Sequence, residues 1–377
     1  MKTLKTILFL ALILTLTNCH AKATGLLAIN EKPKKATVKV ALLLDTSNSM
    51  DGLIDQAKAQ LWKIINELSY SKCEHVTPNL EIALYEYGND DLEKSDGFIR
   101  QVIGFSSDLD EISERLFSLD TNGGSEFCGA VINSSLKDLK WGKNDNDLNI
   151  IFIAGNEAFT QGTYSYKDAI TDAVEKDVVV NTIFCGDYQN GISGKWKHAA
   201  ELGKGEYLTI NQNKEIVHIL TPYDDIIIEL NKKLNKTYVR YGSHGFKKLS
   251  LQSTQDKNAY KMDKEVVVAR AISKSSKVYN NASWDLVDAK KEANFDYSKI
   301  DKNTLPKNIQ NKSTTEIKKY VDKKEKERIA IQKEIQKVNT KRKEYISKQK
   351  LNSTKDELES VIINAIKEQA KRKNYSW

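Results

Sequence analysis

Short apolar runs alternate along the first part of the chain with stretches in which apolar residues recur every three or four positions. Residues 38–44, 80–87, 148–154, 178–184 and 206–210 are rich in Val, Ile and Leu and read as strands. Between them, 52–68, 108–119, 130–139, 165–176 and 196–202 carry the helical spacing, as in Leu53, Ile54, Ala57, Leu61, Ile64, Ile65 and Leu68. Nearly continuous apolar strands separated by helices predict an α/β fold: a doubly wound, mostly parallel, Rossmann-like sheet with both faces covered. Ligands of such sheets bind beyond the carboxyl ends of the strands. That rule directs attention to 45–49, 155–157 and 185–188.

The pattern changes after residue 213. A helix is expected over 222–234, packed on the edge of the sheet domain, and a loop over 238–258 punctuated by Gly242 and Gly245. Trp284 reads as a packing anchor. From Thr315 to Lys350 there is no Pro or Gly, and Ile317, Val321, Ile331, Ile335, Val338 and Tyr345 fall on one stripe. The stripe is continuous once Lys324, Arg328 and Arg342 are admitted as polar positions within it. Thr354 and Glu357 resemble a capping box that opens a second helix, with Leu358, Val361, Ile362, Ala365, Ile366 and Ala370 on its apolar face. The expectation is a long antiparallel helical hairpin. Two helices cannot bury a full core alone, so they must pack on another surface or on a second copy of the chain. The organisation expected is a signal segment (1–18), a tether (19–35), the α/β domain (36–213), a connecting region (214–312) and the hairpin (313–377).

Charge divides along the same line. The chain of 377 residues has a formal net charge of +7. Its last part, from Asn231, holds 36 basic and 18 acidic residues, leaving 22 and 33 for the part before. Two regions of opposite sign suit modules that attract one another and argue against one nucleic-acid-binding surface. The basic region has three readings: a solvated face, attraction to anionic lipid or an acidic envelope polymer, or docking onto the acidic domain.

Lys2 and Lys5 precede the apolar run 7–16, the form of a secretory signal. Leu16-Thr17-Asn18-Cys19 resembles a bacterial lipobox, with Asn18 departing from the usual small residue. Cys19 is then the lipidated residue, and the protein a membrane-anchored lipoprotein facing the periplasm. Ala21-Lys22-Ala23 offers an ordinary cleavage site instead. No later run is long enough to span a bilayer. Cys73, Cys128 and Cys185 lack zinc-site spacing, and three thiols in an oxidising compartment allow one bridge.

The chemistry concentrates at Asp45-Thr46-Ser47-Asn48-Ser49, directly after the first strand. Hard oxygens on one loop before a helix suit Mg²⁺, Ca²⁺ or Mn²⁺. The same serines also serve as ordinary helix caps. With Val40 to Met50, Gly123-Gly124-Ser125 and the strand–helix order, this segment resembles the von Willebrand factor A domain family. The resemblance covers a little under half of the chain. It implies a metal-ion-dependent adhesion site in which Asp45, Ser47, Ser49 and Ser125 hold a divalent cation and a protein partner supplies an acidic side chain. The family's third motif departs here: Ala154-Gly155-Asn156-Glu157 has no Asp at the strand end. Glu157, Asn156 and Glu126 are the oxygens available to compensate. On the topology that the resemblance implies, Cys128 and Cys185 lie on one face and are expected to form a disulfide, with Cys73 free at the opposite end.

Catalytic signals are poor. The five histidines are scattered, and no nucleophile elbow, zinc-protease helix or phosphate loop is present. The expectation is a binding module, not an enzyme. Its rival is an envelope structural factor in which the α/β domain is a scaffold and the basic helices bind the partner, including a second copy of the chain.

Overall fold

The computed structural model describes residues 35–210, 219–350 and 358–377. The expected signal segment and Cys19 lie outside the described residues, as does the capping box at 354–357. The region Lys35–Trp377 forms one compact unit.

A six-stranded sheet organises it. Strands β1 (Thr37–Asp45), β3 (Asn79–Tyr87), β4 (Ile99–Ser106), β5 (Leu148–Gly155), β6 (Val178–Cys185) and β7 (Lys204–Ile210) lie in the order β4-β3-β1-β5-β6-β7. All pairs are parallel except β3–β4, where an antiparallel edge strand with register shifts closes one side. This edge strand was not anticipated. Its residues are half-buried or exposed, so neither a continuous apolar run nor a clean alternation marks it.

Period-two geometry sends alternate residues to opposite faces. Val38, Val40, Leu42 and Leu44 face one core, while Ala41 and Leu43 face the other. The second core is covered by α3 (Cys128–Asp138), α4 (Tyr166–Glu175) and α6 (Trp196–Leu202). The first is covered by α1 (Asp51–Tyr70) and α2 (Leu109–Phe117), and this layer is extended by the C-terminal helices. These are α7 (Asp224–Asn235), α8 (Gly245–Met262), α9 (Lys264–Lys274), the short α10 (Leu286–Ala289), α12 (Thr314–Lys350) and α13 (Leu358–Lys371). Between α10 and α12, α11 (Lys307–Gln310) contributes Ile309 to a small satellite core.

Helix α8 replaces the loop expected over 238–258. Gly242 does punctuate the chain, in a left-handed conformation at φ +74° that suits glycine. Gly245 instead opens the helix. The helix buries Leu251, Gln252, Gln255 and Ala259, so polar side chains occupy half of its inward face and hide its period. Trp284 packs as expected: it stacks on Tyr238 with ring centroids 5.7 Å apart, and its indole N–H donates to Asn281.

The two last helices do not build a hairpin core on each other. Helix α12 packs on α7, α9 and α10, while α13 packs on β7 and α1. Ile317, Val321, Ile335 and Val338 are buried within the chain, so this part of the stripe is used internally. Its polar interruptions are anchors. Arg328 donates to Asp285 at 2.6 Å and to Thr237, with its guanidinium 4.1 Å from the Tyr238 ring centroid. Arg342 donates to Asp224 at 2.7 Å. The C-terminus is fastened as well: Gln369 exchanges amide hydrogen bonds with Asn181, and β8 (Tyr375–Ser376) pairs with β2 (Lys72–Cys73). Part of the basic region docks onto the acidic domain, through Lys248, Arg270, Lys367 and Lys373.

The deepest link between the layers is ionic. Arg270 of α9 is 1% exposed and bonds Asp110 of α2 at 2.7 Å and Asp256 of α8 at 2.6 Å. Lys274, fully buried, meets Asp256 at 2.9 Å. Burial alone would raise the Asp256 pKa, but Lys274 and Arg270 outweigh it and hold the carboxyl well below its ordinary range. A carboxylate with a depressed folded pKa contributes stability above its unfolded pKa of about 4 and loses it as pH falls below that. Asp256→Ala leaves buried Lys274 without its acid and Arg270 with Asp110 alone, and is expected to cost roughly 3–5 kcal/mol in urea unfolding at pH 7. The difference from wild type should shrink as the pH is taken from 5 towards 2.

Candidate functional site

Asp45 ends the central strand β1 and is fully buried at the carboxyl edge of the sheet. The chain turns immediately: the Ser47 N–H donates to Asp45 Oδ1 at 2.8 Å, and the Met50 N–H to the Ser47 carbonyl at 3.0 Å. This turn points two hydroxyls the same way. Ser47 Oγ and Ser49 Oγ are 3.1 Å apart, and Ser49 donates to Asn156 Oδ1 at 3.2 Å. Loop 155–157, after β5, therefore reaches the first loop through Asn156, which stands where the family's third motif was expected.

The second loop brings up Glu126, one of the additional oxygens that the sequence offered. Glu126, 4% exposed, has its carboxyl within hydrogen-bonding reach of Asp45 and Ser47. Ser125 stays half-buried beside it, and among the described residues no hydrogen bond joins its hydroxyl to Asp45, Ser47 or Ser49. The backbone explains why Glu126 can come so close. Gly124, at φ +146°, lies so near Gly88 that a Cβ would stand 2.2 Å from the Gly88 carbonyl oxygen. Gly88, at φ +77°, in turn leaves room for both acids: a Cβ there would lie 2.8 Å from Glu126 Cγ and 2.9 Å from Asp45 Oδ1.

Two carboxyls thus meet in a sealed space. Burial raises the Asp45 pKa to about 6. Burial, and next the Asp45 charge, raise that of Glu126 to about 9. Glu157 is exposed, and its negative charge pushes both in the same direction. Gln161 ties the acids together, its amide carbonyl accepting from the Glu126 N–H at 3.3 Å and its NH₂ donating to Glu157 at 3.4 Å. Asp45 Oδ2 is buried without a hydrogen-bond partner. A buried carboxylate oxygen left unpaired costs on the order of 1–3 kcal/mol, and more if charged.

The donor set fits a hard divalent cation: two carboxyls, the Ser47 and Ser49 hydroxyls and the Asn156 carbonyl oxygen, with an orphaned oxygen among them. It is sparse in charge; among the described residues no group of three or more His, Cys, Asp or Glu is placed to hold a metal. A cation here would rest on Asp45 and Glu126, with neutral oxygens completing its shell.

Cys128 and Cys185 do not bridge. All three described cysteines are free and buried. Cys128 belongs to the core on the α3–α4 face, where its thiol lies 3.7 Å from the Tyr87 hydroxyl, while Cys185 belongs to the core on the opposite face. Both lie at the same end of the sheet, but the sheet separates them. Tyr87, fully buried with its hydroxyl on the Ala154 carbonyl at 3.0 Å, is the site neighbour that sequence reading missed.

The mostly parallel sheet, its flanking helices and the Asp-x-Ser-x-Ser tip are those that the resemblance to the von Willebrand factor A family implies, followed here by a helical C-terminal extension. Among solved structures the chain is similar to BatB, a conserved hypothetical protein from Bacteroides thetaiotaomicron, at 16% identity over 46% of this chain and 90% of that one, with a TM-score of 0.35. It is also similar to the SpRpn10 VWA domain, at 12% identity over 47% and 89%, TM-score 0.34. A third likeness is an aerotolerance-related membrane protein from Bacteroides fragilis NCTC 9343, at 18% identity over 47% and 93%, TM-score 0.31. No family model and no curated protein matches the sequence.

Gly88→Ala is expected to lower stability by at least about 2 kcal/mol, because it imposes both a left-handed backbone on a side chain and contact with two buried carboxyls. Adding Glu126→Ala should recover part of that loss in thermal unfolding, since it removes one of the two groups struck.

Proposed function

We propose that the chain is a protein-interaction module that captures its partner at the carboxyl edge of the sheet through a divalent cation, Mg²⁺, Ca²⁺ or Mn²⁺. The observation that carries this reading is the unpartnered Asp45 Oδ2, sealed against a second carboxyl. A cation between Asp45 and Glu126 satisfies that oxygen and replaces the proton the pair otherwise needs. Ser47 and Ser49 supply hydroxyls, and Asn156 holds Ser49 in place. Glu126 provides the charge that the third loop lacks. The remaining coordination position takes an acidic side chain of the partner. Exposed Asp90, Asp91 and Glu157 surround the site, so that acid arrives on an otherwise basic segment. The lipobox-like Leu16–Cys19 supports an exported protein anchored in the cell envelope through Cys19.

Calorimetric titration of the full chain with Mn²⁺ tests this. One site is expected in the wild type, with binding abolished in Asp45→Ala and weakened at least tenfold, about 1.4 kcal/mol, in Glu126→Gln. Asn156→Asp, which returns a carboxylate to the third loop, should tighten it. Absence of binding in the wild type, or equal binding in Asp45→Ala, would remove the cation from the account.

A further inference from the structure

Helix α12 has an outer face that neither the sheet nor the site uses. Lys319, Lys323, Lys326, Lys333, Lys337 and Lys341 are all exposed. At 100° per residue they fall within about 40° of one line along the helix, with Ala330 filling the single gap. At 1.5 Å per residue the line runs for roughly 33 Å. Of the nearby acids, Asp322 and Glu325 are engaged by Lys290 at 2.5 and 2.7 Å and Glu327 by Lys324 at 2.8 Å, while exposed Glu334 flanks the line and Glu344 ends it one turn beyond Lys341. Of the six lysines only Lys337 approaches an acid among the described residues, Glu334 at 3.9 Å. Because the opposite side of the helix is locked down by Arg328 and Arg342, the ridge is held in a fixed orientation.

We infer that this lysine ridge docks the protein onto an anionic bilayer surface. The chemistry favours a surface over a specific ligand. The ridge has no arginine, the residue that grips phosphate bidentately. It is a line on a convex helix and not a groove, which suits a plane of charge more than a threaded polymer. Each lysine within a Debye length of an anionic membrane multiplies affinity by about fivefold, so six aligned charges give strong, salt-sensitive attachment. Ile329, 55% exposed on the flank, adds an apolar side chain for shallow insertion.

Acetylation footprinting of the full chain, read by mass spectrometry, tests the ridge residue by residue regardless of any N-terminal anchoring. The protein is mixed with vesicles of phosphatidylcholine alone or containing about one third phosphatidylglycerol. The six ridge lysines should react at least about threefold more slowly on the anionic vesicles and recover at about 0.5 M salt, where screening acts within a few ångströms. Exposed Lys167 and Lys195, away from α12, should not change. Equal ridge reactivity on both vesicles would overturn the inference. So would protection by soluble polyglutamate with none on anionic vesicles, which would assign the ridge to an acidic polymer.

Discussion

A carboxyl at the end of a buried central strand must find a proton, a cationic neighbour or a metal. Asp45 is fully buried, burial is what disfavours its charge most, and the negative charge of Glu157 adds to that. The architecture around it makes the placement unavoidable: β1 is flanked on both sides by parallel strands and covered on both faces, so its last residue is sealed by the loops that follow β3 and β5. Gly124 and Gly88 let the loop between α2 and α3 bring Glu126 in. Natural proteins tolerate such local conflict chiefly where it is used. The pairing is therefore the feature from which the functional reading grows.

The rest of the molecule is arranged so that this edge stays fixed. Arg270 joins α9 to α2 of the sheet domain, Arg328 and Arg342 fix α12 on the helices that precede it, and the final residues pair with β2. Buried ion pairs are weak sources of net stability but strongly penalise wrong arrangements, since a lost partner leaves a buried charge. They specify where α9 and α12 sit. That placement leaves the oxygen-lined edge and the lysine ridge as two separately addressable surfaces.

Much of this was legible in the sequence. The strands with continuous apolar runs and the helices with clear period were found, as was the loop carrying Asp45, Ser47 and Ser49. The edge strand at Ile99 and helix α8 were not, because half-exposed and polar-faced elements carry little hydrophobic signal. The long helix was recognised through its interrupted stripe, but a stripe does not say whether Arg328 and Arg342 face water or a buried acid; that depends on Asp285 and Asp224, far away in sequence. The same limit applies to the site. A motif places residues on loops, and only the fold shows that Glu126 meets Asp45. Nor could spacing show that a sheet stands between Cys128 and Cys185.

The central claim is that Asp45 and Glu126 form one cation-holding pair. Anomalous diffraction from crystals soaked in Mn²⁺ addresses it most directly. The account predicts a peak about 2.2 Å from an oxygen of each carboxyl, with Ser47 or Ser49 in the same shell. A featureless map with the two carboxyls still facing each other, or a peak bound by Asp45 while Glu126 turns away, would contradict it.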